Sequence, residues 1–346
     1  MTPNPAPTVA DVARAAGVST ATVSRALNRP DDVRPALRQA VVDAVQRLGY
    51  VAHAGARALS LRRSGTVGAV VPTIDNAIFA HGLQAFQRRM VAAGRHVLVA
   101  FSDYDPDQEA AQVRNLVERG VDAVALTGLS QRPALIELLQ RRDLPFVHIG
   151  AWPAPAGQGC VGFRNREAMA RPVDYLVDLG HRRIAMLAGI TAANDRAAAR
   201  VAGTRAALKR HGLALAGLVQ ARYDVAAARE AVTALLAARP APTAIVCGND
   251  VLAWGAMLQA QAMGLVVPRD LSVIGFDDLA LSRQLQPALT TVHVPIERMW
   301  TMAADQLVQR IEGQPGILPE GSEVQVELVV RRSTAPPPAA RRGKRG

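Results

Sequence analysis

Apolar and polar positions change their rhythm along this chain in a way that divides it into four blocks. Residues 8–48 repeat apolar side chains at three- and four-residue spacing in short stretches, the pattern of short helices. Residues 50–64, YVAHAGARALSLRRS, are rich in Ala and Arg. From Thr66 to about Arg332, apolar runs of strand type alternate with amphipathic helical stretches. Residues 334–346, TAPPPAARRGKRG, have no apolar periodicity and are expected to be disordered.

The alternation in the third block is regular. TVGAVVP, HVLVAFS, VDAVALTG and FVHIG read as strands, separated by the helical stretches IFAHGLQAFQRRMVAAG, DQEAAQVRNLVERG and PALIELLQRRD. The cycle restarts with MARPVDYLVDLG, RIAMLAG, AARVAGTRAALKRHG, AREAVTALLAA, TAIVCGND, VLAWGAMLQAQAMG and LSVIGFDD. Near-continuous apolar strands between helices predict parallel sheets covered on both faces. Two such runs predict an α/β domain of two doubly wound parallel-sheet lobes, with a ligand cleft at the carboxyl ends of their strands. The chain contains no GxxxxGK[ST], and its one GxGxxG match, GQGCVG at 157–162, does not open either strand–helix run, so neither lobe is patterned for a dinucleotide or a nucleoside triphosphate.

The first block has a finer signature. Thr8 can cap the helix VADVARAA, with Val9, Val12, Ala13 and Ala16 on or near one face, and Gly17 supplies a turn over Val18. Ser19 can cap TATVSRALN, which turns Val23, Ala26 and Leu27 inward and leaves Thr20, Ala21, Thr22, Ser24 and Arg25 outward. Small hydroxyl residues and one arginine suit a helix lying in a major groove, where Arg reads guanine and small side chains let the backbone approach. A third helix, PALRQAVVDAVQRLG, starts with Pro35 and is expected to pack Leu37, Val41, Val45 and Leu48 against the pair.

Charge sharpens this picture. The 346 residues carry 40 Lys+Arg against 29 Asp+Glu, a formal net charge of +11. Residues 1–65 hold nine arginines against four aspartates, and residues 331–346 add six basic side chains and no acid. Basic ends on a neutral body fit a polyanionic partner. Cys160 and Cys247 lie far from any second Cys or His at metal-ligand spacing, so reduced core thiols, no metal and no cofactor are expected. The opening residues lack a charged n-region and an apolar h-region, and no apolar run is long enough to span a bilayer, so a cytoplasmic location is expected.

TVADVARAAGVSTATVSRALN, followed by LGY and ARAL, resembles the lactose-repressor (LacI) family of bacterial transcription regulators. LGHRRIAMLAG, CGND, AMGLVVPRDLSVIGFDD, PALTTVHVP and LVVRRS continue the resemblance in family order over nearly the whole chain. The resemblance implies a helix-turn-helix headpiece at 1–49, a hinge helix and linker at 50–65, and a periplasmic-binding-protein-like effector and dimerisation domain at 66–333, with 334–346 as a basic tail. Its lobes would comprise about 66–163 with 295–323, and 165–293 with a last strand near 325–333. Thr20, Ala21 and Arg25 match base-reading positions; Thr8, Ser19, Thr22, Ser24 and Asn28 match capping or backbone-contacting ones. Ala54–Ser60 resembles the hinge helix, in which Ala56 would face DNA and Leu59 would wedge into the minor groove. Arg34 stands where relatives have a small capping residue, and Ala52 and His53 replace a usual Pro and Asn, so both helix starts are weakly capped.

In the sensing domain the resemblance places Phe79, Arg196, Arg200, Tyr223, Asn249 and Asp277 at the effector. Strand-end capping for Asn249 and Asp277, and core packing for Phe79 and Tyr223, are the alternatives. Trp152 lies near the cleft-lining stretch and reads equally as a hinge-surface residue. Arg164 replaces the family's usual Asp, and with Arg196 and Arg200 it would favour a sugar acid or sugar phosphate over a neutral sugar; a pairing of Arg164 with Asp278 is the competing reading. The implied partners are a palindromic double-stranded DNA operator, a small-molecule effector and a second copy of the chain. No nucleophile–base set or paired carboxylates point to an enzyme. A cytosolic sugar-binding protein, a corepressor-activated regulator and a transcriptional activator stay open.

Overall fold

The computed structural model describes residues 6–51, 63–313 and 321–338, and the chain divides into two units, 1–65 and 66–346. The expected hinge helix Ala54–Ser60, with Ala56 and Leu59, lies outside the described residues.

In the first unit, α1 (Val9–Ala16) starts at Thr8, whose hydroxyl accepts from the Asp11 amide while the Asp11 carboxylate accepts from the Thr8 amide. This reciprocal box satisfies two free donors of the first turn. Gly17 (φ +65°) ends the helix, and α2 (Thr20–Asn28) follows from Ser19, whose hydroxyl accepts from the Thr22 amide at 3.1 Å. A short 3₁₀ turn (Pro30–Asp32) leads to α3 (Pro35–Leu48), which has Pro35 in its first turn and no side-chain cap from Arg34. Val12, Ala13, Val23, Ala26, Val41, Ala44 and Tyr50 form the core of the three helices. Leu37, expected inward, is exposed: it sits in the first turn of α3, before that helix reaches the α1–α2 pair. Val18 is half-buried under the turn.

The second unit holds two six-stranded sheets. The first contains β1 (Thr66–Val71), β2 (His96–Phe101), β3 (Ala123–Thr127), β4 (Phe146–Ile149), β5 (Gly159–Gly162) and β11 (Gly321–Glu323) in the order β11-β5-β4-β3-β1-β2, every pairing parallel. The second contains β6 (Ile184–Gly189), β7 (Leu218–Ala221), β8 (Ala244–Cys247), β9 (Ser272–Asp277), β10 (Thr290–His293) and β12 (Glu327–Val329) in the order β12-β10-β9-β8-β6-β7. Only its β10–β12 pairing is antiparallel. The chain therefore passes between lobes after β5, β10 and β11.

Helices α4 (Ala77–Ala92), α5 (Pro106–Glu118), α6 (Pro133–Arg141) and α11 (Ile296–Glu312) cover the first sheet; α7 (Asn165–Asp178), α8 (Asp195–Arg210), α9 (Val225–Ala237) and α10 (Asp250–Ala262) cover the second. Gly82 on α4 makes one of these packings possible. A Cβ there would lie 2.2 Å from the indole nitrogen of buried Trp300 on α11. Strand β7 went unread in the sequence because LVQA is four residues long and only half-buried at the edge of its sheet.

The expected disordered tail begins too early at 334. The Thr334 hydroxyl bonds Tyr175 at 3.0 Å, and the Ala335 carbonyl accepts from the Ser272 hydroxyl at 3.0 Å and lies 2.9 Å from His181 Nε2. Hydrogen bonding to side chains, which leaves no apolar period in the sequence, holds this segment to the second lobe.

Candidate nucleic-acid interface and effector cleft

Capping geometry and inward burial leave α2 one free face. Thr20, Ala21 and Arg25 are exposed on it. Ser19 and Thr22 hydroxyls bond each other at 2.9 Å, and Asn28 donates to the Ser24 hydroxyl at 3.4 Å, so these groups stiffen the helix start and end. Thr8 is exposed with its hydroxyl engaged by Asp11. Arg25 has no ion-pair partner among the described residues, and its side chain extends from a face of small groups. Such a face can enter a groove without steric conflict.

Between the lobes lies a cleft of about 560 Å³, part of it open to solvent. The carboxyl ends of parallel strands build both walls, where helix N-termini and loops converge. The first lobe contributes Asn76 and Phe79 at the start of α4, Tyr104 after β2, Thr127 at the end of β3, and Met299 and Trp300 of α11. From the second come Asn194, Arg196 and Arg200 around α8, Tyr223 after β7, Asn249 after β8 and Asp277 at the end of β9. Six of the seven residues the sequence pointed to thus meet in one cavity: Phe79, Arg196, Arg200, Tyr223, Asn249 and Asp277.

Arg200 is 7% exposed, and its guanidinium lies 3.7 Å above the ring of Phe276. Its Nε donates to Asn165 Oδ1 at 2.9 Å and its Nη1 to the Gly248 carbonyl at 2.7 Å, two neutral partners that fix the plane of the fork. Burial pulls its pKa down, and the carboxyl of Asp277 opposes that. Asn249 has the capping role that was its alternative reading, and it also lines the cleft. Its Oδ1 caps α10 through the Leu252 amide at 2.9 Å, while its buried Nδ2 has no partner among the described residues. Asp277 likewise keeps a buried Oδ1 without a partner. Burial lifts its pKa to about 8, Arg200 pulling it back and Asp250 adding to the rise. Tyr223 accepts from Asn194 at 3.4 Å, and its ring centroid is 6.0 Å from that of Tyr104.

The turn carrying Asp277 is strained and supported from behind. Asp277 has φ +114° and Asp278 φ +58°, conformations that L residues adopt rarely. Asp250, fully buried, accepts from the Leu279 amide at 2.7 Å and the Ser282 hydroxyl at 2.6 Å. Asp278 turns away from the cleft and is bound by Arg283, Arg331 and His293. The two adjacent carboxyls therefore do different work.

Arg164, expected at the effector, lies elsewhere. It does not line the cleft: its side chain is half-exposed, and Nε pairs with Glu323 of β11 at 3.3 Å. A long side chain at the N-terminus of α7 reaches the edge strand more readily than the cavity. The competing pairing with Asp278 is absent as well, since Arg283, Arg331 and His293 occupy that carboxylate. Trp152 packs against Gly321 at the sheet edge and likewise does not line the cavity. The sequence reading missed Asn76, Tyr104, Thr127, Asn194 and Trp300. Their signal was position: Asn76 and Asn194 cap helices and Tyr104 follows a strand, all at carboxyl ends. Among the described residues no cluster of His, Cys, Asp or Glu could hold a metal ion, and no helix is long and apolar enough to cross a membrane.

Comparison with known proteins follows the same division. Residues 8–53 match the model for bacterial regulatory proteins of the lacI family, and residues 173–334 that for a periplasmic-binding-protein-like domain. The chain is 33% identical over 331 residues to the HTH-type transcriptional regulator GntR of Pseudomonas aeruginosa, covering 95% of this chain and 96% of that protein. It is 33% identical over 336 residues to the HTH-type transcriptional repressor PurR of Erwinia tasmaniensis, covering 96% and 98%. Among solved structures, the lac repressor dimer bound to operator and the anti-inducer ONPF superposes with a TM-score of 0.85 at 25% identity, covering 96% of this chain and all of that one. The complex of the transcriptional regulator CelR with cellobiose gives 0.68 at 29% identity, covering 94% and 99%.

Proposed function

This chain belongs to the lacI family of bacterial regulatory proteins, and from that premise we propose that it is a cytoplasmic transcriptional repressor, without enzymatic activity, that binds a palindromic operator as a homodimer and answers to an anionic sugar derivative. The exposed Thr20-Ala21-Arg25 face of α2 supports the DNA-reading role, since one such helix reads only a half-site and two copies are needed for a palindrome. The wedge role of Leu59 belongs to the same proposal.

The effector class rests on one observation, the uncompensated charge in the cleft. Arg200 is buried with neutral hydrogen-bond partners and no ion-paired carboxylate among the described residues, and burial lifts the pKa of the Asp277 carboxyl to about 8. Buried charge without a counter-charge is costly, and an anion entering the cavity removes that cost. The open Asn249 Nδ2 and Asp277 Oδ1 offer a donor and an acceptor to ligand hydroxyls, and Phe79 and Trp300 offer apolar surface to a ring. Arg164 plays no part.

Selection from random duplexes should return an inverted repeat; asymmetric sites would refute the operator proposal. In a thermal-shift panel of D-glucuronate, D-glucose 6-phosphate and D-glucose, an acid should raise Tm more than the neutral sugar. Arg200→Ala should remove that difference and Arg164→Asp should leave it intact. Equal shifts from acid and neutral sugar would overturn the anionic class.

A further inference from the structure

Helix α8 carries both cleft arginines, and a residue of the opposite lobe holds its first turn. The first four amides of a helix have no partner within it. Here Asn194 caps the Ala197 amide at 3.2 Å, which leaves the Asp195 amide to be satisfied from outside. That amide donates to Ser130 Oγ at 2.9 Å, and the Ser130 hydroxyl donates in return to Asp195 Oδ1 at 3.1 Å. Ser130 lies in the β3–α6 connection of the first lobe, whereas α8 belongs to the second. The same Asp195 oxygen also holds Arg196 Nη1 at 3.4 Å, so one carboxylate joins the lobe-one hydroxyl to a cleft arginine.

The approach is too close for any side chain but hydrogen at Gly128. A Cβ there would lie 1.8 Å from Arg196 Nη1 and 2.4 Å from Asp195 Oδ1, and Gly128 has φ +75°. The loop is also braced within its own lobe. His148 Nδ1 bonds the Gly128 carbonyl at 3.0 Å, and Gln131 donates to the Thr127 carbonyl at 3.2 Å and to Glu109 at 3.1 Å. Ser130 is thus presented to α8 by a fixed loop.

We propose that Ser130 is a positioning residue, a hydroxyl that completes the N-terminal cap of α8 only when the lobes are closed and thereby sets Arg196 at the cleft. Opening the lobes separates Ser130 from Asp195, gives the Asp195 amide to water and releases the carboxylate that restrains Arg196. Lobe closure and the presentation of Arg196 are then a single event, and closed-state stability is built partly from a helix cap shared across the cleft.

The test uses the full-length protein without effector, so its outcome is separate from that of the effector class proposed above. Spin labels on Asn115→Cys in α5 and Lys209→Cys in α8 report the interlobe distance; native Cys160 and Cys247 are buried. Ser130→Ala should broaden that distance distribution toward longer values and speed amide exchange at Asp195 about tenfold, the effect of losing the hydrogen bond between that amide and the hydroxyl. Ser130→Thr, which keeps the hydroxyl, should restore both. Asp195→Ala, which removes the return acceptor, should open the lobes as Ser130→Ala does. An unchanged distance distribution in Ser130→Ala, even with faster exchange, would reduce Ser130 to a local cap and overturn the proposal, as would failure of the Thr variant to restore closure.

Discussion

At the scale of single residues, Asp277 sets the chemistry of the cleft. Its pKa rises from the ordinary 3.8 to about 8 because burial penalises the carboxylate more than Arg200 favours it. A carboxyl whose folded pKa is raised stabilises the fold fully below its unfolded pKa, and that contribution is lost as pH climbs through the folded value. The effector-binding unit should therefore melt progressively lower between about pH 4 and about pH 8 on account of this group. Asp250, lifted by burial to about 6, adds a second, earlier step in the same direction. Calorimetry of Asp277→Asn across that range should show the upper part of the slope flattened while the Asp250 step persists. A slope identical to that of the unaltered protein would mean that Asp277 is ionised in the fold throughout.

At the scale of elements, α2 combines a buried side of Val23 and Ala26 with an exposed face of Thr20, Ala21 and Arg25. Arg25→Ala removes the longest side chain from that face without touching the core. It should relax base preference at one position per half-site and cost about 1–3 kcal/mol there, measured as affinity for the selected operator against single-base variants. Equal weakening on operator and random DNA would show that Arg25 meets only phosphate. Helices with full apolar faces and strands such as TVGAVV and IAMLAG were legible in the sequence because burial on both sides writes a continuous run. β7 and the bonds of Thr334–Ala335 were not, since their partners are distant in sequence and their own residues carry no period. The cleft was legible where a motif named the residue, as at Asn249 and Asp277. Arg164 failed for a related reason: sequence gives the position of a Cα, whereas Glu323, some 160 positions away, decides where a long side chain ends.

At the scale of the whole molecule, a palindrome needs two copies of α2, and the second unit has a surface suited to joining them. Strand β2 is the outer strand of the first sheet among the described residues, so one edge of its backbone has no neighbouring strand. Its Leu98, Val99 and Phe101 are 39%, 43% and 38% exposed, and Val91 near the end of α4 is exposed too. Adjacent apolar side chains on a sheet edge are a liability in a monomer and an asset in an interface. The double variant Leu98→Asp, Val99→Asp places charge on this edge while leaving the buried Ala100 and the cleft residues untouched. Sedimentation should then give a species near the 36.7 kDa of one chain instead of twice that mass. Operator affinity should fall by orders of magnitude, because each headpiece must find its half-site independently rather than at the high effective concentration a dimer provides. The thermal shift produced by an acidic sugar should survive, since the cleft lies within one chain. A dimer that persists with both aspartates in place would move the interface elsewhere on the second unit.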